Sequence, residues 1–319
     1  VSEFDVIRQY FTRAPQHSEL GVGDDAALIR VSPNMELAIS ADMLVSGTHF
    51  FAEADPYQLG WKALAVNLSD MAAMGAQPKW ATLAIALPNI DHAWLAEFSR
   101  GLFACADTFG VDLIGGDTTR GPLTISVQIM GEVPNGLAIK RSGAQLGDQI
   151  WLSGPLGHAA LALAHLQARI KLDADTFARC ASALHTPQPR VALGLALRGI
   201  ATSAIDISDG LAADLGHVLN ASNLGAKLHL TQLPQASHWP MASQLEPAEQ
   251  LKLLLAGGDD YELCFSASAV DHERISQLGL SLGLPLLCVG EMVAERGLVV
   301  HGLAGEPLDI QEAGFDHFK

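Results

Sequence analysis

Short apolar runs of strand length alternate along this chain with longer stretches of helical spacing, and several runs are followed closely by an aspartate set beside glycine or a small residue. Such alternation restricts a chain to mixed α/β architectures, in which helices pack on sheets. Strand-type runs stand at Leu37–Ser40, Trp80–Leu87 (closed by Pro88), Val111–Ile114 and Leu123–Met130, the last readable either as an apolar edge strand or as a buried one. Helical spacing covers Ser2–Thr12, Pro56–Met74 with Asp55 as N-cap, and Asp91–Phe109. Pro134-Asn135-Gly136 marks a domain boundary, which divides the chain into 1–137 and 138–319. The second half opens with a strand at Gln149–Leu152, then a glycine turn at 154–157 that leads into a helix through Ala168. Helices are expected near 173–184, 188–198, 209–222 and 247–255, and strands near 226–230, 261–265, 285–289 and 297–301.

Composition narrows the function. Asp plus Glu outnumber Lys plus Arg by 35 to 19. That argues against nucleic-acid backbone binding and against docking on anionic lipid, both of which need clustered cations. No apolar run approaches the roughly 18 residues that span a bilayer. Val1-Ser2-Glu3-Phe4-Asp5 lacks the basic start and apolar stretch of a signal peptide. Cys105, Cys180, Cys264 and Cys288 form no C-x-x-C pair and each lies in an apolar stretch, so buried reduced thiols are expected. These features together predict a cytoplasmic protein.

Several catalytic signatures are absent: a Walker A loop, the protein-kinase set, G-x-S-x-G and H-E-x-x-H. Gly21-Val22-Gly23-Asp24-Asp25-Ala26 matches the dinucleotide pattern, but no hydrophobic strand precedes it and two carboxylates would face the pyrophosphate. Aspartate beside glycine or a small residue recurs at Gly23-Asp24-Asp25, Ser40-Ala41-Asp42, Leu68-Ser69-Asp70, Gly115-Gly116-Asp117, Asp206-Ile207-Ser208-Asp209-Gly210 and Gly257-Gly258-Asp259-Asp260. Any one of these taken alone also reads as a turn or a helix cap. Ser69 and Asp70 resist that reading, because they sit inside an apolar helical pattern. The Asp42, Asp117 and Asp206 carboxylates are expected at strand ends, where α/β folds bind ligands. Clustered carboxylates repel and need cations to persist together. Their hard oxygens suit Mg²⁺, which is held by a few carboxylates plus substrate phosphates. Glycine beside them lets backbone approach a phosphate. The order Ser-Asp then Gly-Gly-Asp occurs twice, with Asp-to-Asp spacings of 47 and 50, a weak echo of duplication.

On these motifs the chain resembles the bacterial thiamine-monophosphate kinase family, within the aminoimidazole ribonucleotide synthetase-like ATP-binding superfamily. The resemblance runs nearly end to end, through Gly21–Ala26, Ser40–Phe50, Lys62–Gly75, Ile114–Pro122, Arg141–Ala144, Ala204–Gly216, Gly257–Phe265 and Gly314–Phe318. It implies a two-domain α/β (α+β type) fold. The N-terminal ATP/Mg-binding domain would form a homodimer through its sheet, and a C-terminal α/β domain would close the ATP cleft. It implies transfer of the ATP γ-phosphoryl group to thiamine monophosphate, the last step of thiamine diphosphate biosynthesis. Several Mg²⁺ ions are implied, with K⁺ as a further candidate.

By the same resemblance Asp25, Ser40, Ala41, Asp42, Asp70, Asp117, Asp206 and Asp209 are metal positions. Gly116, Asp117, Arg141 and Ser208 match ATP contacts, and His49, Asp259 and Phe315 match substrate contacts. Without the motifs, His49, Arg141 and Phe315 are ordinary structural residue types. Two departures stand out: Ala41 where Thr is common, and Asp259 where Glu is common. Lys62 is read as a helix lysine reaching along the surface to water. The rival readings are another ATP-using member of the superfamily and a non-catalytic divalent-cation-binding protein.

Overall fold

The computed structural model describes residues 2–233, 245–302, 304–308 and 314. The chain forms two compact units, one of residues 1–71 with 76–137, the other of 72–75 with 138–319.

The first unit opens with α1 (Glu3–Val6), where Ser2 and Asp5 form a capping box, and a π-helical turn continues it to Phe11. The strands are β1 (Met35–Val45), β2 (Gln77–Leu87), β3 (Asp112–Arg120) and β4 (Thr124–Pro134), and the helices α2 (Pro56–Ala73) and α3 (His92–Phe109). The sheet order is β1-β4-β2-β3. The run at 123–130 is therefore the buried strand of its two readings, and β1 and β3 are the edges. Leu83, Ile85, Val127 and Ile129 are buried, with Leu64 and Leu68 of α2 and Leu102 of α3 in the same core. The two helices approach through Gly60 and Gly101. A Cβ on Gly60 would meet the Phe98 carbonyl, and one on Gly101 the Tyr57 carbonyl. Asp91 caps α3 through the N–H groups of Ala93 and Trp94, and Gly110 ends it at a φ of 67°.

On the opposite sheet face Trp80, Ile114 and Met130 cluster with Ala27, Ile29 and Leu37. Beyond that cluster the face is open at β1, where Ile39 and Met43 are 55% and 56% exposed. Near the sheet's end Glu132 accepts from the Ser32 N–H at 2.7 Å, the Ser32 hydroxyl at 3.0 Å and Lys79 Nζ at 2.5 Å.

The second unit carries β5 (Gln149–Leu152), α4 (His158–Leu166), α5 (Ala174–His185), α6 (Val191–Ala196), β6 (Ala201–Asp206), α7 (Leu211–Ser222) and β7 (Gly225–His229). Beyond these come α8 (Pro247–Ala256), β8 (Leu263–Ala267), α9 (His272–Leu282), β9 (Leu287–Val293), β10 (Gly297–His301) and β11 (Pro307–Leu308). Over the described residues its sheet runs β11-β10-β7-β9-β5-β8-β6. Ile150, Leu152, Ile205, Leu228 and Val289 of the strands are buried with Leu161, Leu211, Leu215 and Leu254 of the helices in one apolar core. Strand β6 was marked in the sequence only by the short Ala204-Ile205 run before Asp206, and the polar face of His272-Glu273-Arg274 hid helix α9.

Cys105, Cys180 and Cys264 are buried free thiols, whereas Cys288 is only half-buried. Burial pushes Cys180 up to about 11 and Cys264 up to about 12, which leaves them inert as thiols.

Candidate active site

The first unit brings three of the sequence-identified residues together. Ser40 Oγ donates to Asp70 Oδ2 at 2.6 Å. One turn earlier on α2, Asn67 Oδ1 accepts the Asp42 N–H at 3.0 Å, and its amide donates to the Ala63 carbonyl at 3.1 Å. The helix therefore fixes two β1 positions from one face, through residues three apart. Asn67 had no motif to mark it; an amide one turn before Asp70 in an otherwise apolar stretch of helix is its only signal. Lys62 on the same helix is 5% exposed. It is enclosed by protein rather than reaching along the surface.

Asp117 is placed by a backbone irregularity. Ala81 pairs with Leu113 and Thr82 with Gly115, so Ile114 is an extra residue in β3. Without this bulge Asp117 would stand opposite the buried Ile85. With it, Asp117 stands opposite the exposed Ala84, and Gly116 opposite Leu83. Gly116 has a φ of 145°, and a Cβ on it would overlap the Leu83 carbonyl.

Asp42 and Leu83 both pair with Val127, so Asp42 shares the helix-covered face and Asp117 points to the other. One expectation is corrected here: neither Asp42 nor Asp117 ends its strand, since both lie within longer ones. Among the described residues no three His, Cys, Asp or Glu side chains are grouped closely enough to hold a metal ion.

The remaining first-unit positions are more open. Asp25 is exposed in the turn after Gly23, where its N–H donates to Asp24 Oδ1 at 2.9 Å. Residues 21–26 lie in a turn with isolated bridges and no helix follows, contrary to a dinucleotide fingerprint. Ala41 is exposed on the open face and has only its carbonyl to offer. His49 Nδ1 accepts the Val45 N–H at 3.0 Å, which leaves the proton of the neutral ring on Nε2.

In the second unit Asp206 ends β6, as a strand-end carboxylate should, and is buried. The following loop is pinned on both sides. Asp214 Oδ2 accepts the N–H groups of Ser208, Asp209 and Gly210 at 3.0, 3.0 and 3.1 Å. On the other side, the Ser208 carbonyl accepts the Asp259 N–H at 2.9 Å and the Ile207 carbonyl the Tyr261 N–H at 2.8 Å. Asp259 and Tyr261 hold φ values of 67° and 51°, a strained conformation for non-glycine residues. The Tyr261 hydroxyl donates to Asp259 Oδ1 at 3.0 Å. That contact fixes the Asp259 carboxylate.

Beneath this loop Glu262 is clasped by Arg190, with Nε to Oε2 at 2.7 Å and a second bond from Nη2 to Oε1, and it accepts from Ser153 Oγ at 2.5 Å. Burial works against the Arg190 charge, and the hydrogen bond and the negative charge of Glu262 together more than offset it. Asp260 accepts the Gly157 N–H at 2.8 Å at the start of α4. Burial pushes Asp260 well above the carboxylate range and Asp214 up to about 7, although backbone donors pull both down. No motif marks Asp214, Arg190 or Glu262; for the two acids the local signal is a carboxylate at an apolar helical or strand position, and Arg190 carries none.

Arg141 is exposed on a short turn, Arg141–Gly143. Ser222 Oγ donates to its carbonyl at 2.8 Å and accepts the Ala144 N–H at 3.2 Å, which ties the turn to α7. Phe315 lies outside the described residues.

The Ser-Asp echo is not structural. Ser69-Asp70 is helical where Ser208-Asp209 is loop, and Gly115–Asp117 is strand where Gly257–Asp259 is loop.

The fold and these aspartate–glycine loops define the AIR synthase class. Residues 23–133 match the AIR synthase related protein N-terminal domain and 145–302 its C-terminal domain. Thiamine-monophosphate kinase of Escherichia coli K12 is 45% identical over 99% of this chain and 98% of its own length. The solved thiamine-monophosphate kinase of Stenotrophomonas maltophilia K279a superposes with a TM-score of 0.84 at 44% identity, covering 96% of each chain. A structure of AaThiL complexed with AMPPCP and TMP superposes at 0.79 and 26% identity, over 99% of this chain and 96% of that one. The chain belongs to the thiamine-monophosphate kinase family. Among the described residues no helix is long and apolar enough to cross a membrane.

Proposed function

We propose that this chain transfers the γ-phosphoryl group of ATP to thiamine monophosphate, forming thiamine diphosphate and ADP. The observation that carries this reading is full-length identity of 45% to a thiamine-monophosphate kinase. The pinned Ser208–Gly210 loop of the second unit and the bulged Gly115–Asp117 strand segment of the first support it. The acceptor is a phosphate oxygen that is already anionic, so no side chain need act as general base or nucleophile. The chain's task is to neutralise and align two polyanions for in-line transfer.

The donor set fits a hard divalent cation, since Ser40, Asp42, Asp70, Asp206 and Asp209 offer only oxygen. Asp25, Asp117 and the Ala41 carbonyl complete the proposed Mg²⁺ positions, with K⁺ a further candidate ion. When bound, Mg²⁺ offsets phosphate charge and polarises the transferring group. Gly116, Asp117, Arg141 and Ser208 contact ATP. Gly116 lets the β3 backbone approach a phosphate, and Arg141 adds positive charge on a braced turn. His49, Asp259 and Phe315 contact the thiamine phosphate. Residues 1–137 serve ATP binding and dimerisation, and 138–319 serve site closure. Exposed Ile39 and Met43 support pairing of the first unit's sheet with that of a second copy.

The test is incubation of the protein with thiamine monophosphate, ATP and Mg²⁺, with thiamine diphosphate measured by chromatography. Mg²⁺-dependent product is expected, and none with free thiamine. ATP binding without product would point to another ATP-using activity of the superfamily. Absence of both would point to a non-catalytic cation binder. Sedimentation velocity tests the dimer, and a monomer at micromolar concentration would exclude it.

A further inference from the structure

Three consecutive N–H groups that converge on one point make a concave site for an anion, commonly a phosphate. The Ser208–Gly210 loop has this arrangement, but the chain fills it with its own carboxylate. Asp214 Oδ2 takes all three N–H groups and is 3% exposed. The opposite edge of the loop is held by the Asp259 N–H on the Ser208 carbonyl, with the Tyr261 N–H on the preceding Ile207 carbonyl, and Gly210, with a φ of 122°, has backbone of Ala256 where a Cβ would stand. The loop therefore cannot turn its N–H groups toward a phosphate. What remains to face a ligand is the carboxylate of Asp209 and the hydroxyl of Ser208, both half-buried.

We infer that Asp214 is the positioning residue that turns the Ser208–Gly210 loop into a cation-binding rather than a phosphate-binding surface, by holding its backbone donors inward and aiming Asp209 at a divalent ion. This rests on the kinase reading of Asp209 as a metal position. Asp214 itself touches neither metal nor substrate.

The experiment uses the full chain with Mn²⁺ as probe, in the presence of ATP and absence of thiamine monophosphate, and reads Mn²⁺ affinity by electron paramagnetic resonance. Asp214→Asn keeps the shape but offers a neutral oxygen to the three donors, and Asp214→Ala offers none. The affinity of at least one Mn²⁺ site is expected to fall about 10–100-fold in Asp214→Ala, with Asp214→Asn between it and the wild type. The half-saturating Mg²⁺ concentration for turnover should rise in step, with kcat largely recovered at high Mg²⁺. If the alanine variant does not fold, the asparagine variant alone decides.

The control is Asp173→Ala, which removes the α5 cap formed on Thr176 at 2.9 Å. It should lower the melting temperature and leave Mn²⁺ affinity unchanged. Unchanged Mn²⁺ affinity in folded Asp214 variants would overturn the inference while leaving kinase activity in place. Lost Mn²⁺ affinity in a protein whose wild type makes no thiamine diphosphate would uphold the positioning and remove the kinase reading.

Discussion

Gly116→Ala should pull β3 away from β2 and displace Asp117. At a φ of 145° an alanine is strained, at a cost of about 1–3 kcal/mol. Its Cβ would also fall on the Leu83 carbonyl. Leu83 cannot retreat, because its other side is paired to Val127 in the sheet interior. Relief must come from opening the β2–β3 ladder at this level, which removes about one hydrogen bond worth about 1 kcal/mol. The sum is about 2–4 kcal/mol, or a melting temperature roughly 5–10 °C lower. Gly115 is the internal control, since nothing lies within 4 Å of its added Cβ and its φ is not positive. Gly115→Ala should shift the melting temperature by less than about 2 °C and can even stabilise by restricting the unfolded chain. Calorimetry of both variants, with ATP affinity measured by titration, reads the difference. If Gly116→Ala melts within about 1 °C of Gly115→Ala and binds ATP equally well, the bulge-and-glycine account of Asp117 is wrong.

Two further outcomes are expected. Asp70→Asn should cut turnover on the order of 100-fold, because it removes charge beside Ser40, whereas Asp24→Asn should have a much smaller effect; equal and mild losses in steady-state kinetics would sink the metal assignment. For Glu132, burial raises the carboxyl pKa, but Lys79 and the Ser32 donors lower it further, so the folded value lies below 4.5. A depressed carboxylate stabilises fully above the unfolded value and loses that contribution as pH falls through the folded value. Acid unfolding of Glu132→Gln should therefore have a shallower pH dependence below 4.5 than wild type, and parallel curves would contradict this.

The candidate site was partly legible because its residues carry local chemistry. Aspartate beside glycine in an apolar chain stands out, and Asp206 needed only a short apolar run to be placed at a strand end. The bracing residues were less legible, because their roles depend on partners distant in sequence. Glu262 meets Arg190 and Ser153 only once β5, β8 and the start of α6 have come together, and Asp260 binds the start of α4 from about a hundred residues away.

The sequence alone determined the mixed α/β class, the order of most helices and strands, and the oxygen-rich character of the candidate ligands. These depend on periodicity and residue type within one segment. Tertiary structure alone decided which face each ligand takes. One extra residue at Ile114 reverses the side-chain alternation of β3 and carries Asp117 from the core side to the open side. A bulge is set by strand pairing, which is a relation between segments, so no pattern within β3 encodes it.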